Sequence, residues 1–305
     1  MVGAMRSETV DVLVIGGGAA GLNAALVLAR ARRRVLVVDS GEPRNAPAHQ
    51  VHGFISRDGT PPAELLATGR AEVESYGGRV EAGEVRAVRR DGGEFDVELA
   101  DRVVRARRLI VATGLRDELP EVPGLRERWG QDVLHCPYCH AWEVRDQRFG
   151  VLGWQQGAVH QALLVRQWSD DVVFFAETLD GDSRAKLIAR GVRIVDGAVG
   201  GLEVAGDELR GVRLADGTVE ALTVLFVPPR FVPNDALLTG LGCERGDDGW
   251  VRVDQGGLTS VPGVWAVGNV VDPRAQVVNA AAAGGKAAIA VNADLVEADL
   301  LEVAR

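Results

Sequence analysis

Val10-Asp11-Val12-Leu13-Val14-Ile15-Gly16-Gly17-Gly18-Ala19-Ala20-Gly21 is the stretch that decides the fold class. Its first half is a short β-branched run of the kind that forms a buried strand. Leu22 to Arg30 then reads as an apolar helix, and Val35-Leu36-Val37-Val38-Asp39 as a second strand. The result is a βαβ unit whose turn carries Gly16-x-Gly18-x-x-Gly21, with an acid, Asp39, about twenty residues on. Gly16 permits the tight turn, Gly18 lets backbone approach a pyrophosphate, and Gly21 lets helix and strand pack closely. The helix start, with Ala19 and Ala20, offers free N–H groups and a positive dipole end to phosphates, and Asp39 can accept from a ribose hydroxyl. A glycine-rich turn with no ligand is the bland alternative.

Outward from this unit, residues 41–60 read as loop and 62–75 as helix. Short strands run from Gly78 to Ala100 with a turn at Asp91-Gly92-Gly93, and lead to Leu109-Ile110-Val111-Ala112-Thr113-Gly114. Pro120 and Pro123 mark a linker. A second βαβ-like pattern follows: strand 149–152, turn 153–157, helix 158–168, strand 171–175. Further strands occupy roughly 191–226, and Pro228, Pro229 and Pro233 mark a second linker. The chain closes with strand Val264-Trp265-Ala266-Val267, turn Gly268-Asn269 and an Ala-rich helix from about 276 to 298. The expected class is α/β with two Rossmann-like dinucleotide-binding domains. Residues 1–118 and 234–305 form one, and residues 119–233 are inserted into it as the other.

The chain has 305 residues, 47% hydrophobic and 25% charged, enough for two domains that enclose a large cofactor. A net charge of -9 argues against a broad nucleic-acid surface. The basic runs Arg30-Ala31-Arg32-Arg33-Arg34 and Arg105-Ala106-Arg107-Arg108 read as solvated element ends. Arg6, Glu8 and Asp11 break any leader-like pattern, and no uncharged apolar run reaches membrane-spanning length. Three cysteines, Cys136, Cys139 and Cys243, are too few and too odd for a secreted disulfide scaffold, so a cytoplasmic setting is expected.

Cys136-Pro137-Tyr138-Cys139-His140 admits three readings. C-type haem attachment matches the letters, but it needs export and a second axial ligand, and Met1 and Met5 are the only methionines. Zinc could use His135, Cys136, Cys139 and His140, yet a closed site wants two separated ligand pairs; no metal is expected. The third reading is a redox dithiol, in which a thiol near a helix start has a lowered pKa and exchanges with disulfides.

Ala112-Thr113-Gly114 and Gly263-Val264-Trp265-Ala266-Val267-Gly268-Asn269 resemble the two further FAD signatures of the two-dinucleotide-domain flavoproteins. With CxxC in the inserted domain, the whole order of motifs resembles the low-molecular-weight thioredoxin reductases. That resemblance implies bound FAD and a homodimer. It also implies that Cys139 faces the flavin and that Cys136 meets the substrate. The helix from Gln276 and Val277 should aim its positive end at the flavin edge where negative charge grows on reduction. The second signature usually ends in Gly-Asp; Asn269 stands there and can still hydrogen-bond a hydroxyl.

Two departures alter the expected function. Thioredoxin reductases usually place Asp after the second cysteine. Here Cys-Pro-x-Cys-His-x-x-Glu, ending at Glu143, resembles the dithiol oxidases of gliotoxin- and holomycin-type metabolites, and His140 can take a thiol proton near neutral pH. In the inserted domain, Gly153-Trp154-Gln155-Gln156-Gly157-Ala158 puts Gln155 where a pyrophosphate-contacting glycine belongs. Ala176-Glu177 stands where an arginine pair would read an NADP 2′-phosphate; Glu177 could instead hold the ribose of NADH. The expectation is an FAD-dependent oxidase of a small-molecule dithiol with O2 as acceptor and H2O2 as product, with no nucleic-acid or membrane partner. The alternative is an NAD(P)H-dependent disulfide reductase, and a non-catalytic flavin sensor comes third.

Overall fold

The computed structural model describes residues 8–303. Met1, Met5 and Arg6, used above in the haem and leader readings, lie outside the described residues. The chain folds into two compact units. Among the described residues, unit 1 comprises 8–46, 60–116 and 232–303, and unit 2 comprises 47–59 and 117–231.

The elements of the first part are β1 (Glu8–Ile15), α1 (Ala19–Arg30), β2 (Val35–Asp39), α2 (Pro62–Ser75), β3 (Arg79–Ala82), β4 (Ala87–Asp91), β5 (Glu94–Glu98) and β6 (Val103–Val111). After β7 (Leu115–Glu118) come β8 (Val133–Leu134), α3 (Pro137–His140), β9 (Phe149–Leu152), α4 (Ala158–Val165), β10 (Val172–Ala176), α5 (Gly181–Ala189) and β11 (Arg193–Asp196). β12 (Val199–Ala205), β13 (Glu208–Leu214), β14 (Val219–Ala221) and β15 (Val224–Phe226) follow. The chain returns through β16 (Arg230–Pro233) to α6 (Ala236–Gly240), β17 (Val264–Ala266) and α7 (Val277–Val303).

In unit 1 the strand order is β3-β2-β1-β6-β5-β4, with β17 also paired to β6. β1 is central, so six of its eight residues are buried and it reads as a continuous apolar run. β6 spans two partners besides β1: Val103–Ala106 pairs antiparallel with β5, and Leu109–Val111 pairs parallel with β17. α7 covers α1. Gly284, Ala287, Ala288, Val291 and Leu295 are its buried face, packed with Ala20, Leu22, Ala24, Ala25 and Leu28. α7 runs five residues past the expected end. Its last turn is held by charge: Asp299 meets Arg33 at 2.7 Å and Arg107 at 2.6 Å, and Glu302 meets Arg107 at 3.2 Å. Arg33 and Arg107, one from each basic run, are thus matched to carboxylates. Arg34 pairs with Asp11, Arg105 with Glu94, Asp91 and Asp96, and Arg108 with Asp294.

Unit 2 carries a parallel sheet, β11-β10-β9-β15-β8, and an antiparallel β12-β13-β14 meander. α4 ends at Val165, three residues before the expected end. There Arg166 turns back to the Ser169 carbonyl and the Trp168 carbonyl accepts from the Asp146 amide at 2.8 Å. The Pro120–Pro123 stretch packs on the meander, with the Pro123 carbonyl accepting from Leu202 N–H at 2.9 Å. The segment 47–59 closes on itself, Gly59 N–H donating to the Val51 carbonyl at 2.8 Å.

Candidate active site

In unit 1, the glycine-rich turn, Ala112-Thr113-Gly114 and Gly268 meet at one end of the sheet. Gly16 has φ +104°, and a Cβ there would lie 2.4 Å from the Ala112 carbonyl oxygen. A Cβ on Gly21 would lie 1.9 Å from the Gly16 carbonyl oxygen, so both positions need glycine. Gly268 approaches Ala20, its Cβ position falling 3.0 Å from that methyl. Thr113 and Gly114 are held by Asn234, whose Nδ2 donates to the Thr113 carbonyl at 2.9 Å and whose N–H donates to the Gly114 carbonyl at 3.0 Å.

Gly18 differs from these glycines. Nothing lies within 4 Å of where its Cβ would be. It is also the N-cap of α1 and gives no side-chain cap to the first-turn N–H groups around Ala19 and Ala20. The open space and the uncapped donors form a cradle for an anion. Beside it, Asp39 accepts from Gly17 N–H at 3.0 Å and from Arg70 Nη2 at 2.8 Å. Arg70, on α2, carries no motif and was not singled out by the sequence.

Asn269 and Gln276 frame the start of α7. Asn269 Nδ2 donates to the carbonyls of Asp272 and Ala275 at 2.9 and 3.0 Å. An aspartate has no N–H to offer these oxygens, so the amide suits this loop. Its Oδ1 lies 3.5 Å from Arg44 Nη1. Gln276 N–H donates to Asn279 Oδ1 at 3.3 Å, and Val277 begins the helix.

In unit 2, Cys136 and Cys139 are bonded to each other. Cys136 is the N-cap of α3 and Pro137 fills the first turn, where a missing N–H costs nothing. Gln161 on α4 fixes the approach, its Nε2 donating to the His135 carbonyl at 2.6 Å. Tyr138 and Trp142, on either side of Cys139, are exposed. The Arg145 guanidinium lies 4.2 Å from the centre of the Trp142 ring.

His140 is the last residue of α3. Burial pushes its imidazole pKa below the ordinary value of 6.5; Glu143 opposes that shift, while His52 and His49 add to it. His52 Nδ1 is 3.3 Å from Asp58 and its Nε2 is 3.4 Å from Glu143. His49 and His52 come from the 47–59 segment. From sequence they are either entrance-lining or ordinary loop residues, because nothing in their spacing relates them to residues ninety positions away.

The β9–α4 turn of unit 2 has its own geometry. A Cβ on Gly153 would sit 2.6 Å from both the Phe174 ring and the Phe175 carbonyl oxygen, so packing alone requires this glycine. Trp154 Nε1 donates to the Pro228 carbonyl at 2.7 Å, and Gln155 Nε2 to the Pro229 carbonyl at 2.6 Å. A cleft of 580 Å³ lies beside the turn, lined by residues that include Gln155, Phe174, Thr178 and Asp180. None of its described lining residues is Lys or Arg. The Asp180 carboxylate caps α5 through Ser183 N–H at 2.8 Å, which holds its pKa below the usual value.

The description of the pyridine nucleotide-disulphide oxidoreductase family matches residues 10–285. The chain belongs to that family. Thioredoxin reductase tcpT of Claviceps purpurea is 32% identical over 282 residues, covering 86% of this chain and 87% of the relative. Among solved structures, HlmI is 57% identical with a TM-score of 0.96, covering 98% of both chains. An oxidoreductase from Agrobacterium tumefaciens is 39% identical with a TM-score of 0.88, covering 94% of this chain and 99% of its own. Like its family, the chain is an FAD-binding oxidoreductase with a thioredoxin reductase-like fold. The unit 1 cradle fits that cofactor: the space at Gly18 and the uncapped start of α1 suit a pyrophosphate, and Asp39 suits a ribose hydroxyl.

Proposed function

We propose that this pyridine nucleotide-disulphide oxidoreductase is a dithiol oxidase, closing a disulfide in a small-molecule dithiol and passing the electrons to O2. In this reading Gly16, Gly18, Ala19, Ala20 and Gly21 hold the FAD pyrophosphate, and Asp39 holds the ribose. Ala112, Thr113, Gly114, Gly268, Asn269, Gln276 and Val277 complete the cofactor site. Residues 119–233 serve as the inserted domain that carries the dithiol chemistry.

The single observation that carries the choice of oxidase over reductase is the clamped Gln155 side chain. Its Nε2 donates to the Pro228 and Pro229 carbonyls, which fixes a side chain at the position where a nicotinamide motif carries a glycine. The neighbouring Asp180 carboxylate further disfavours phosphate.

The chemistry divides among three side chains. A substrate thiolate attacks Cys136 Sγ, breaking the Cys136–Cys139 bond and releasing Cys139 as thiolate. His140 takes the proton of the second substrate thiol. That sulfur attacks the substrate sulfur of the mixed disulfide and releases Cys136 as the second thiolate. Bound FAD would supply the two-electron link between this dithiol and O2, so that one substrate dithiol and one O2 would give one disulfide and one H2O2.

The base must be neutral to act, and burial lowers the His140 pKa below 6.5. The active form is therefore present at neutral pH and is lost as pH falls through that lowered value. An oxygen electrode should show one O2 consumed and one peroxide formed per disulfide. His140→Asn should slow the dithiol reaction about 10²–10⁴-fold and remove its acid limb. Turnover without oxygen uptake, or an unchanged rate in the variant, would contradict this assignment.

A homodimer and a cytoplasmic setting belong to the same reading. Ile289, Val296, Leu300 and Val303 leave an exposed apolar stripe on α7, at spacings of seven, four and three. Sedimentation at the mass of one chain would remove the dimer.

A further inference from the structure

The 47–59 segment is a closed loop of unit 2, far in sequence from α3, yet it supplies a ring that meets Glu143, three residues beyond the end of the redox helix. His52 Nδ1 faces Asp58 Oδ2 at 3.3 Å and His52 Nε2 faces Glu143 Oε1 at 3.4 Å. Asp58 is itself fixed, its Oδ1 accepting from Gly53 N–H at 2.9 Å. The loop is closed by Gly59 N–H on the Val51 carbonyl, and Val51 is buried. At its start, a Cβ on Gly130 would meet Pro47 at 2.6 Å, so loop and scaffold touch there without room for a side chain. The His52 side chain is 17% exposed, which holds the ring in place between two carboxylates.

A neutral imidazole has one N–H and can donate to one of these carboxylates only. The doubly protonated ring donates to both. Glu143 is thus turned toward His52, while its charge still reaches His140. The groups that face His140 electrostatically are Glu143, from the segment after α3, and His52 and His49, from the loop.

We infer that His52 is a positioning residue of the dithiol chemistry: anchored by Asp58, it holds the Glu143 carboxylate away from His140 and so keeps His140 a neutral base. This rests on the dithiol-oxidase reading. Without the His52 ring, Glu143 is left uncompensated three residues from His140. A carboxylate freed to bond an imidazole stabilises its charged form, and the base is lost at a higher pH. The 47–59 loop then acts on His140 only indirectly, by positioning Glu143.

The test is the pH dependence of anaerobic flavin bleaching by dithiothreitol, using the FAD-loaded protein. His52→Gln should move the acid limb upward by about one pH unit, slowing bleaching up to about tenfold on the limb and leaving the alkaline plateau unchanged. Asp58→Asn, which removes the anchor and leaves the ring, should shift the limb in the same direction by less. In a Glu143→Gln background, adding His52→Gln should produce no further shift, because there is no carboxylate to release. A His52→Gln profile that superimposes on the wild type overturns the proposal. So does an equal shift with and without Glu143, since His52 would then act on His140 directly. A lowered plateau with an unmoved limb also overturns it, marking a structural role only. If dithiothreitol fails to bleach the wild-type protein, the oxidase reading itself falls, and that result is distinct from any of the variant outcomes.

Discussion

Cys139→Ser is expected to abolish dithiol-driven flavin reduction, lowering the rate roughly 10³-fold or more, as loss of a covalent reaction partner does. Cys136→Ser should abolish turnover equally but differ in its spectrum. The bonded pair sits at the start of α3, with Cys136 as the cap and Cys139 inside the helix. Under the proposed order, substrate meets Cys136 and Cys139 faces the flavin. The Cys136→Ser protein therefore keeps one thiolate beside the isoalloxazine and should show long-wavelength charge-transfer absorbance, while Cys139→Ser should not. The opposite pattern reverses the assignment. Substantial turnover in either variant would remove the disulfide from the mechanism.

Gly284→Val is expected to have the second largest effect, and on the fold itself. A Cβ at this position would lie 2.0 Å from the Ala20 carbonyl oxygen and 2.8 Å from its carbon. Both are backbone atoms at the start of α1, so no rotamer change relieves the overlap and the two helices must separate. Separation uncovers Ala24, Ala25 and Leu28 against Ala287, Ala288 and Val291. Overpacking of this kind costs about 3 kcal/mol or more, which corresponds to a Tm loss of roughly 6–12 °C. It also displaces the uncapped start of α1 that suits the pyrophosphate, so the purified protein should carry little FAD. Gly285→Ala is the control. Its Cβ would meet the Asn23 side-chain amide at 2.8 Å, a group that can move. Equal Tm and full FAD content in Gly284→Val would show that the α1–α7 contact is not limiting.

Gly284 also marks where the sequence stops being legible. Gly16, Gly18 and Gly21 could be read because their spacing lies within one turn and the strand and helix around them have their own periodicities. Gly284 serves the same close approach across more than 260 residues, inside an Ala-rich helix in which one more small residue carries no signal. Arg70 is similar: it pairs with Asp39 across 31 residues, and only the fold of α2 brings it there. The end of α7 was missed for another reason. Its last turn carries Leu300, Leu301 and Val303, but all three are exposed and none packs on the core; ion pairs from Asp299 to Arg33 and Arg107 hold it instead.

At the redox site, local chemistry was readable and its support was not. Cys136, Cys139 and His140 are adjacent in sequence, so their pattern states the chemistry directly. His52 and Asp58 enter through a loop whose residues carry no pattern linking them to the redox helix. Gln155 could be read as an intrusion into a glycine motif. Its partners, the Pro228 and Pro229 carbonyls, lie more than 70 residues on and could not be.

Anaerobic mixing of the FAD-loaded protein with NADH, with NADPH and with a small dithiol, each followed by loss of the yellow flavin absorbance, tests the central claim most directly. A dithiol oxidase with a closed nicotinamide site is bleached by the dithiol and left oxidised by both nicotinamides. Rapid bleaching by either nicotinamide would contradict that account and make the chain a disulfide reductase.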